Sequence, residues 1–88
     1  MASQEVTILN KRGLHARAAA KFVKLASSFE AEIVVVKNGT SVSGRSIMGL
    51  MMLAASPGCS LELRAEGPGA RLAVEALASL VRNKFDED

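Results

Sequence analysis

Residues 13–17 of this 88-residue chain, Gly-Leu-His-Ala-Arg, hold side chains suited to handling a phosphoryl group. His15 is the only histidine of the sequence, and Arg17 follows it by two residues. A helical pattern begins at Ala16, so the imidazole is expected at a helix start, where backbone N–H groups and the helix dipole attract anions. A neutral imidazole there can act as a nucleophile toward phosphorus. A surface histidine without chemistry is the alternative, and the motif alone leaves both open.

Ser46 is a second candidate site, because it immediately precedes a short apolar segment, residues 47–53. Serine is a favoured N-cap, so the sequence predicts a helix that starts after it. A phosphate on a capping serine would meet the positive end of the helix and be tolerated there. A plain structural cap is the equally consistent alternative.

The segment after Ser46 is too apolar for a short helix to bury completely. We expect about half of its large apolar side chains in the core and the others in an exposed patch, where methionines form adaptable docking surfaces. The side chains concerned are Ile47, Met48, Leu50, Met51 and Met52.

Several other classes of chemistry are disfavoured. His15 and Cys59 lie far apart in sequence and do not form a metal-ligand cluster, so no metal or other cofactor is expected. No Ser-His-Asp or Cys-His pairing is suggested, and Gly67 and Gly69 lack the Gly-Lys-Ser/Thr that completes a phosphate-binding loop. The pattern fits a carrier that forms a covalent intermediate better than a complete enzyme.

Composition narrows the partners and the compartment. A net charge of +2 and only three aromatic residues, all Phe, argue against a nucleic-acid-binding surface. Cys59 is the single cysteine, so an internal disulfide is excluded and a reducing cytoplasm is favoured. Its side chain is expected to fill space in the core, with a redox thiol as the alternative. No apolar run approaches the roughly 20 residues of a membrane span, so no direct membrane insertion is expected.

Hydrophobic periodicity predicts four strands and three helices in the order β-α-β-β-α-β-α, an α+β arrangement with an antiparallel sheet covered by helices on one face. Asn38-Gly39 is the preferred two-residue hairpin turn. Residues 85–88 are expected to be a fraying acidic end. The predicted strands are residues 5–9, 31–37, 40–43 and 60–66, and the predicted helices start at residues 16, 47 and 70, the last ending near residue 84.

Two helical faces follow from that periodicity. The first helix carries a basic ridge of Arg17, Lys21 and Lys24 that begins beside His15, opposite an apolar stripe. A merely solvated face is the alternative for the ridge. The apolar stripe of the last helix is predicted to comprise Leu72, Ala73, Ala76, Leu77, Leu80 and Val81.

The motif at residues 13–17, the segment Ser-Ile-Met-Gly-Leu at residues 46–50, the length and the element order together resemble the HPr family. These proteins are the histidine-containing phosphocarriers of the bacterial phosphoenolpyruvate phosphotransferase system. The resemblance covers essentially the whole chain and implies one domain over residues 1–88. It also implies an open-faced β-sandwich with strand order 1-4-2-3 and three helices.

By that resemblance, His15 would accept a phosphoryl group on Nδ1 from phosphorylated Enzyme I and pass it to an Enzyme IIA-type protein. The backbone of Ala16 and Arg17, with the Arg17 guanidinium, would hold the phosphate oxygens. Ser46 would match the serine that an ATP-dependent HPr kinase/phosphorylase modifies in some bacteria. A monomer is expected, with acidic partners docking on a set of side chains from both helices: Arg17, Lys21, Lys24, Ile47, Met48 and Met51.

One position departs from the family pattern. The motif usually continues with proline, and Ala18 stands there instead. Proline in the first helical turn rigidifies a helix start without the loss of a hydrogen bond. Together with Arg12, this departure points to an alternative, the nitrogen-related (NPr-type) regulatory branch, which is not coupled to sugar uptake. A separate alternative is a regulatory interaction module that acts mainly through phospho-Ser46.

Overall fold

Four antiparallel strands and three α-helices form the computed structural model, which describes residues 1–86. The elements are β1 (Ala2–Thr7), α1 (Ala16–Ala26), β2 (Glu32–Lys37), β3 (Thr40–Ser43), α2 (Ile47–Met52), β4 (Ser60–Glu66) and α3 (Ala70–Arg82), followed by a short turn at Lys84–Asp86. The strand order is β1-β4-β2-β3, as expected from the family resemblance.

The sheet has one face in the core and one face in solvent. In the central strand β4, Leu61, Leu63 and Ala65 are buried, while Arg64 and Glu66 are exposed. This alternation has the two-residue period of a strand whose opposite faces meet different environments. The helices cover the apolar face, with α3 packed on β1 and β4 and α1 packed beside α2 and α3.

The β2–β3 hairpin has the predicted turn. Lys37 pairs with Thr40 across it, and Asn38 and Gly39 have φ angles of 49° and 83°. Two successive residues with positive φ make a type I′ turn, whose twist matches that of the strands it joins.

Several predicted boundaries shift by a few residues. β1 begins at Ala2 instead of residue 5 and ends at Thr7, although Val6 and Ile8 are both buried as expected. Beyond the strand, the Ile8 N–H still donates to the Cys59 carbonyl at 2.9 Å, which keeps that residue beside the sheet. Helix α3 ends at Arg82, two residues before the predicted end.

The predicted stripe of α3 is wrong at Leu72. That side chain is 64% exposed, whereas Val74 and Ala78, both absent from the predicted stripe, are buried. The buried face combines the row of Ala73 and Leu77 with the row of Val74 and Ala78. Leu72 lies beyond the edge of that face, because each residue advances about 100° around a helix.

The prediction of a fraying end is wrong for Phe85. Its side chain is only 1% exposed, and the Lys21 ammonium donates to its carbonyl oxygen at 2.7 Å. Lys84, Phe85 and Asp86 have φ angles of 57°, 55° and 61°, a left-handed turn unfavourable for residues with a Cβ. Burial of a phenyl ring offsets that cost. Residues 87 and 88 of the predicted acidic end lie outside the described residues.

Candidate functional site

The loop that leads to His15 is fastened by hydrogen bonds on both sides. Asn10 is fully buried, and its side-chain amide donates to the Gly13 carbonyl at 2.7 Å. The Leu14 N–H donates to the carbonyl of Ala55 at 2.9 Å. Gly13 has a φ of 64°, and a Cβ there would collide with the Ala55 carbonyl oxygen. The loop conformation therefore requires glycine at this position.

His15 is the N-cap residue of α1, the position predicted from the sequence. Its backbone is extended, with φ −82° and ψ 179°, and its carbonyl accepts the first helical hydrogen bond from Ala19 at 2.8 Å. The imidazole turns back over the helix start, where Nδ1 accepts the Arg17 N–H at 3.3 Å. The ring is partly exposed, so a reagent can reach it from solvent.

The electrostatics of this helix start favour an anion. The first turn of α1, residues 16–19, holds no acidic side chain that would offset the positive end of the helix dipole. Ala16 and Arg17, the two residues that follow the imidazole, are both exposed. Arg17 adds a full positive charge at a position where a cation slightly destabilises the helix. A bound phosphate group would relieve that repulsion.

Ser46 caps α2 in the predicted manner. Its Oγ accepts the Gly49 N–H at 2.9 Å, and its carbonyl accepts the Leu50 N–H at 3.0 Å. The side chain is partly exposed. A Cβ at position 49 would lie 3.1 Å from the Val42 side chain, so the glycine lets α2 pack closely on β3.

Helix α2 exposes more of its apolar side chains than the sequence predicted. Of the five large apolar residues from position 47 to 52, which all lie in the described part of the chain, Leu50 alone is buried. The expectation that about half would be core is therefore wrong. The exposed members form what we call the α2 patch: Ile47 (40% exposed), Met48 (72%), Met51 (41%) and Met52 (79%).

The predicted basic ridge of α1 is divided by a tertiary contact. Arg17 and Lys24 are exposed, but Lys21 is half-buried and its ammonium is bonded to the Phe85 carbonyl. Lys21 therefore presents less of its charge to a partner than its spacing on the helix predicts. Since α1 packs against α2, the ridge and the α2 patch lie on neighbouring helices.

Cys59 packs against the core cluster but is partly exposed, so it fills space beside the core without being fully buried as predicted. Its Sγ lies 3.4 Å from the Oγ of Ser56 in the turn before β4. Hydrogen bonds from the side chain and the backbone of Ser56 lower the pKa of the Cys59 thiol, with a smaller contribution from the positive charge of Lys37.

Sequence reasoning missed Lys37, whose ammonium donates to the carbonyls of Leu53 and Ala54 at the end of α2. It also missed Asn10, whose side chain closes the loop before His15. A lysine at the end of a strand and an asparagine in a polar turn are typical of solvent-exposed positions. No local sequence pattern distinguished Lys37 and Asn10 from ordinary solvent-exposed residues.

The described part of the chain has neither a membrane-spanning helix nor a cluster of metal ligands. Among residues 1–86, no helix combines the length and the apolar character needed to cross a membrane. Over the same residues, no three His, Cys, Asp or Glu side chains are grouped in a way that could hold a metal ion.

Comparison with known proteins gives a consistent result. The family model described as "PTS HPr component phosphorylation site" matches residues 2–83. The phosphocarrier protein HPr of Pseudomonas aeruginosa is 50% identical over an alignment 88 residues long, which covers 99% of this chain and 98% of that protein. The phosphocarrier protein NPr of Shewanella violacea is 46% identical over 84 residues, 96% of this chain and 92% of that protein.

A solved structure agrees over the full length. The crystal structure of HPr-C-His from Thermoanaerobacter tengcongensis matches with a TM-score of 0.95 and 44% sequence identity. The match covers 100% of this chain and 99% of that one.

Proposed function

Since this chain belongs to the HPr family of the phosphotransferase system, we propose that it carries phosphoryl groups on His15, from phosphorylated Enzyme I to an Enzyme IIA-type partner. One observation supports this assignment above the others: the imidazole caps α1 with Nδ1 facing the Arg17 N–H at 3.3 Å. A phosphoryl group on that nitrogen would lie at the positive end of an 11-residue helix.

The hydrogen bond at Nδ1 also bears on the chemistry. A nitrogen that accepts an N–H has its lone pair in the ring plane, so the proton of the neutral ring belongs on Nε2. Nδ1 can then attack phosphorus without losing a proton: the N–P bond forms while the bond between phosphorus and Enzyme I breaks. The Arg17 N–H, released from Nδ1, can donate to a phosphate oxygen. The resulting phosphoramidate is labile enough to pass the group onward.

We propose that the phosphate oxygens are held by the backbone N–H groups of Ala16 and Arg17 together with the Arg17 guanidinium. This is a compact cradle of donors at a helix start, similar in principle to other anion sites at helix N-termini. Exposure of Ala16 and Arg17 keeps the cradle open to a partner protein.

Docking is proposed to combine positive charge from α1 with apolar contact from α2. Lys24 and Arg17 are exposed cations that would attract an acidic partner and speed its association. Ile47, Met48 and Met51 of the α2 patch supply the apolar contact. Lys21 remains in the proposed docking set, with a smaller contribution because it is bonded to Phe85.

Intact mass tests the proposal directly. After incubation with phosphoenolpyruvate and Enzyme I, the chain is expected to gain one phosphate that is lost on acid treatment. His15→Ala is expected to gain none, whereas the matched variant Ser46→Ala keeps the histidine and is expected to gain the phosphate. An unchanged mass of the wild-type chain would remove the proposal.

A second candidate function is regulatory. Ser46 is partly exposed at the start of α2, and a phosphate on its Oγ would lie next to the α2 patch and change the charge of the docking surface. An NPr relative is 46% identical and an HPr relative 50%, so identity does not separate the two branches; Ala18 in place of proline is the feature that points to the nitrogen-related branch for this role. The test is an ATP-dependent, acid-stable phosphorylation by HPr kinase/phosphorylase that is lost in Ser46→Ala.

We further propose that residues 1–88 act as a single domain, as a monomer and in the cytoplasm. The buried apolar residues from Val6 near the start to Phe85 near the end form one core cluster, which supports a single folding unit. Light scattering across a range of protein concentrations is expected to give the monomer mass throughout. A mass that rises toward the dimer would overturn the monomer.

A further inference from the structure

A lysine on the sheet holds the far end of α2. Lys37, the last residue of β2, is partly buried, and its Nζ donates to the carbonyls of Leu53 and Ala54 at 2.9 and 3.3 Å. The last carbonyls of a helix have no partner within the helix, and they lie at the negative end of its dipole. An ammonium group therefore suits this position in both hydrogen bonding and charge.

The backbone that Lys37 holds is also the backbone that holds the residues before His15. Ala54 has a φ of 52°, a left-handed conformation unfavourable for a residue with a Cβ. The next carbonyl, that of Ala55, accepts the Leu14 N–H at 2.9 Å and lies too close to Gly13 for any side chain there. Residues 53–55 therefore connect Lys37 on one side with residues 13–14 on the other.

We propose that Lys37 is a positioning residue for His15. Its ammonium stabilises the strained end of α2, so the Ala55 carbonyl stays where it can hold Leu14 and, through Leu14, the capping conformation of His15. This inference rests on the proposed phosphocarrier function. It adds that the reactivity of the imidazole depends on a cation that touches neither the imidazole nor the phosphate.

The position of the contact separates this role from docking. The Lys37 ammonium is occupied by two backbone carbonyls of its own chain, whereas Lys24 of the docking set is exposed. A docking cation changes the affinity for a partner, and therefore KM. A positioning residue changes the geometry in which the bound partners react, and therefore kcat.

Hydrogen exchange provides the first test, and it requires no phosphoryl donor. In Lys37→Met, which keeps the apolar stem and removes the charge, the Leu14 amide is expected to exchange about tenfold faster than in the wild type. The control amide is that of Gly44, which donates to Ile33 at 2.8 Å and reports on general loosening of the sheet. Its exchange rate is expected to stay the same within about twofold.

Phosphoryl transfer from Enzyme I provides the second test. Lys37→Met is expected to lower kcat about tenfold while KM changes by less than about twofold. Lys37→Arg is expected to recover most of the rate, because a guanidinium can donate to both carbonyls. The matched control Arg71→Met removes one positive charge from an exposed position on α3 and is expected to leave kcat unchanged.

Unchanged exchange at Leu14 in Lys37→Met would overturn the proposal, and so would a higher KM at constant kcat, which would make Lys37 a docking residue. If Lys37→Met does not fold, Lys37→Gln, with a shorter and neutral donor, takes its place with the same expected directions. If the wild-type chain accepts no phosphate, the proposed function fails. The exchange of Leu14 still decides whether Lys37 supports the loop before His15.

Discussion

At the starts of both α1 and α2, a side chain accepts a backbone N–H that has no partner within the helix, but the accepting atoms differ. Ser46 caps α2 with an oxygen 2.9 Å from the Gly49 N–H, whereas His15 caps α1 with a nitrogen 3.3 Å from the Arg17 N–H. Serine is among the best N-cap residues, and histidine is outside that group. The shorter bond and the favoured residue identify the α2 cap as the more stabilising of the two. The α1 cap is weaker, and it places an imidazole nitrogen at the helix start, where we propose that the phosphoryl group is accepted.

The two helices also differ in how they are held. Helix α1 buries four residues, among them Phe22, over its described length of 11 residues. Helix α2 has six residues, all described, and buries only Leu50 of them. Besides its packing on α1 and β3, α2 has a hydrogen bond at each end, with Ser46 at the start and with Lys37 at the other end. A helix with so little buried surface opens at a lower free energy than the rest of the fold.

The largest expected effect is a loss of stability when a side chain is added at Gly13, in the loop that leads to α1. Gly13→Ala is expected to lower the free energy of unfolding by about 3 kcal/mol, because the new Cβ meets the Ala55 carbonyl and φ is positive. Urea denaturation measures it. The control is Gly58→Ala, where φ is 91° but no atom lies within 4 Å of the new Cβ. Its expected loss is about 1 kcal/mol, and equal losses would show that the close approach at Gly13 is unimportant.

The next effect concerns the chemistry at the same helix start. Arg17→Ala is expected to slow phosphoryl transfer to His15 by about 10- to 100-fold, the loss of one charge-assisted contact to phosphate. Stability should change by less than about 0.5 kcal/mol, since the side chain is exposed and its charge opposes the helix dipole. Steady-state transfer from Enzyme I measures the rate, with Arg82→Ala on the last turn of α3 as the control. A rate within twofold of wild type would remove Arg17 from the phosphate site.

A third prediction compares the two caps by themselves. Ser46→Ala is expected to lower the free energy of unfolding by about 1 kcal/mol, since the Gly49 N–H loses its partner. His15→Ala is expected to cost less than about 0.5 kcal/mol, because its bond at 3.3 Å is long and histidine is a poor cap. Thermal and urea denaturation of both variants give the two values. A larger loss at His15 than at Ser46 would reverse the comparison.

The smallest effect concerns the thiol of Cys59, which lies in a turn and not at a helix start. Ser56 lowers the pKa of its thiol by hydrogen bonding, so the thiolate forms at lower pH than in a free cysteine. The rate of alkylation by iodoacetamide is therefore expected to rise at lower pH than for the urea-unfolded chain. Ser56→Ala is expected to move that rise to higher pH. Coincident profiles for the wild type and Ser56→Ala would show that the contact has no effect on the thiol.

Features that depend on neighbours in sequence were predictable. The alternation of β4, the turn at Asn38-Gly39 and the caps at His15 and Ser46 each involve residues within four positions of one another. Hydrogen bonds and φ preferences at that range depend on residue type, whatever the rest of the chain does. The position of His15 at a helix start was also available from the sequence, although histidine is not a favoured N-cap, because the helical pattern begins at Ala16.

The features that sequence reasoning missed depend on contacts between distant residues. Lys21 bonds to Phe85, 64 residues away, and Lys37 bonds to Leu53, 16 residues away. Leu72 is exposed because the face of α3 that meets the sheet is chosen by the strands beneath it. Residue type and spacing determined which local structures form and where the imidazole lies. The packing of those structures decided which side chains are buried and which lysines are hydrogen-bonded to backbone carbonyls. Both depend on surfaces and carbonyl groups contributed by distant parts of the chain.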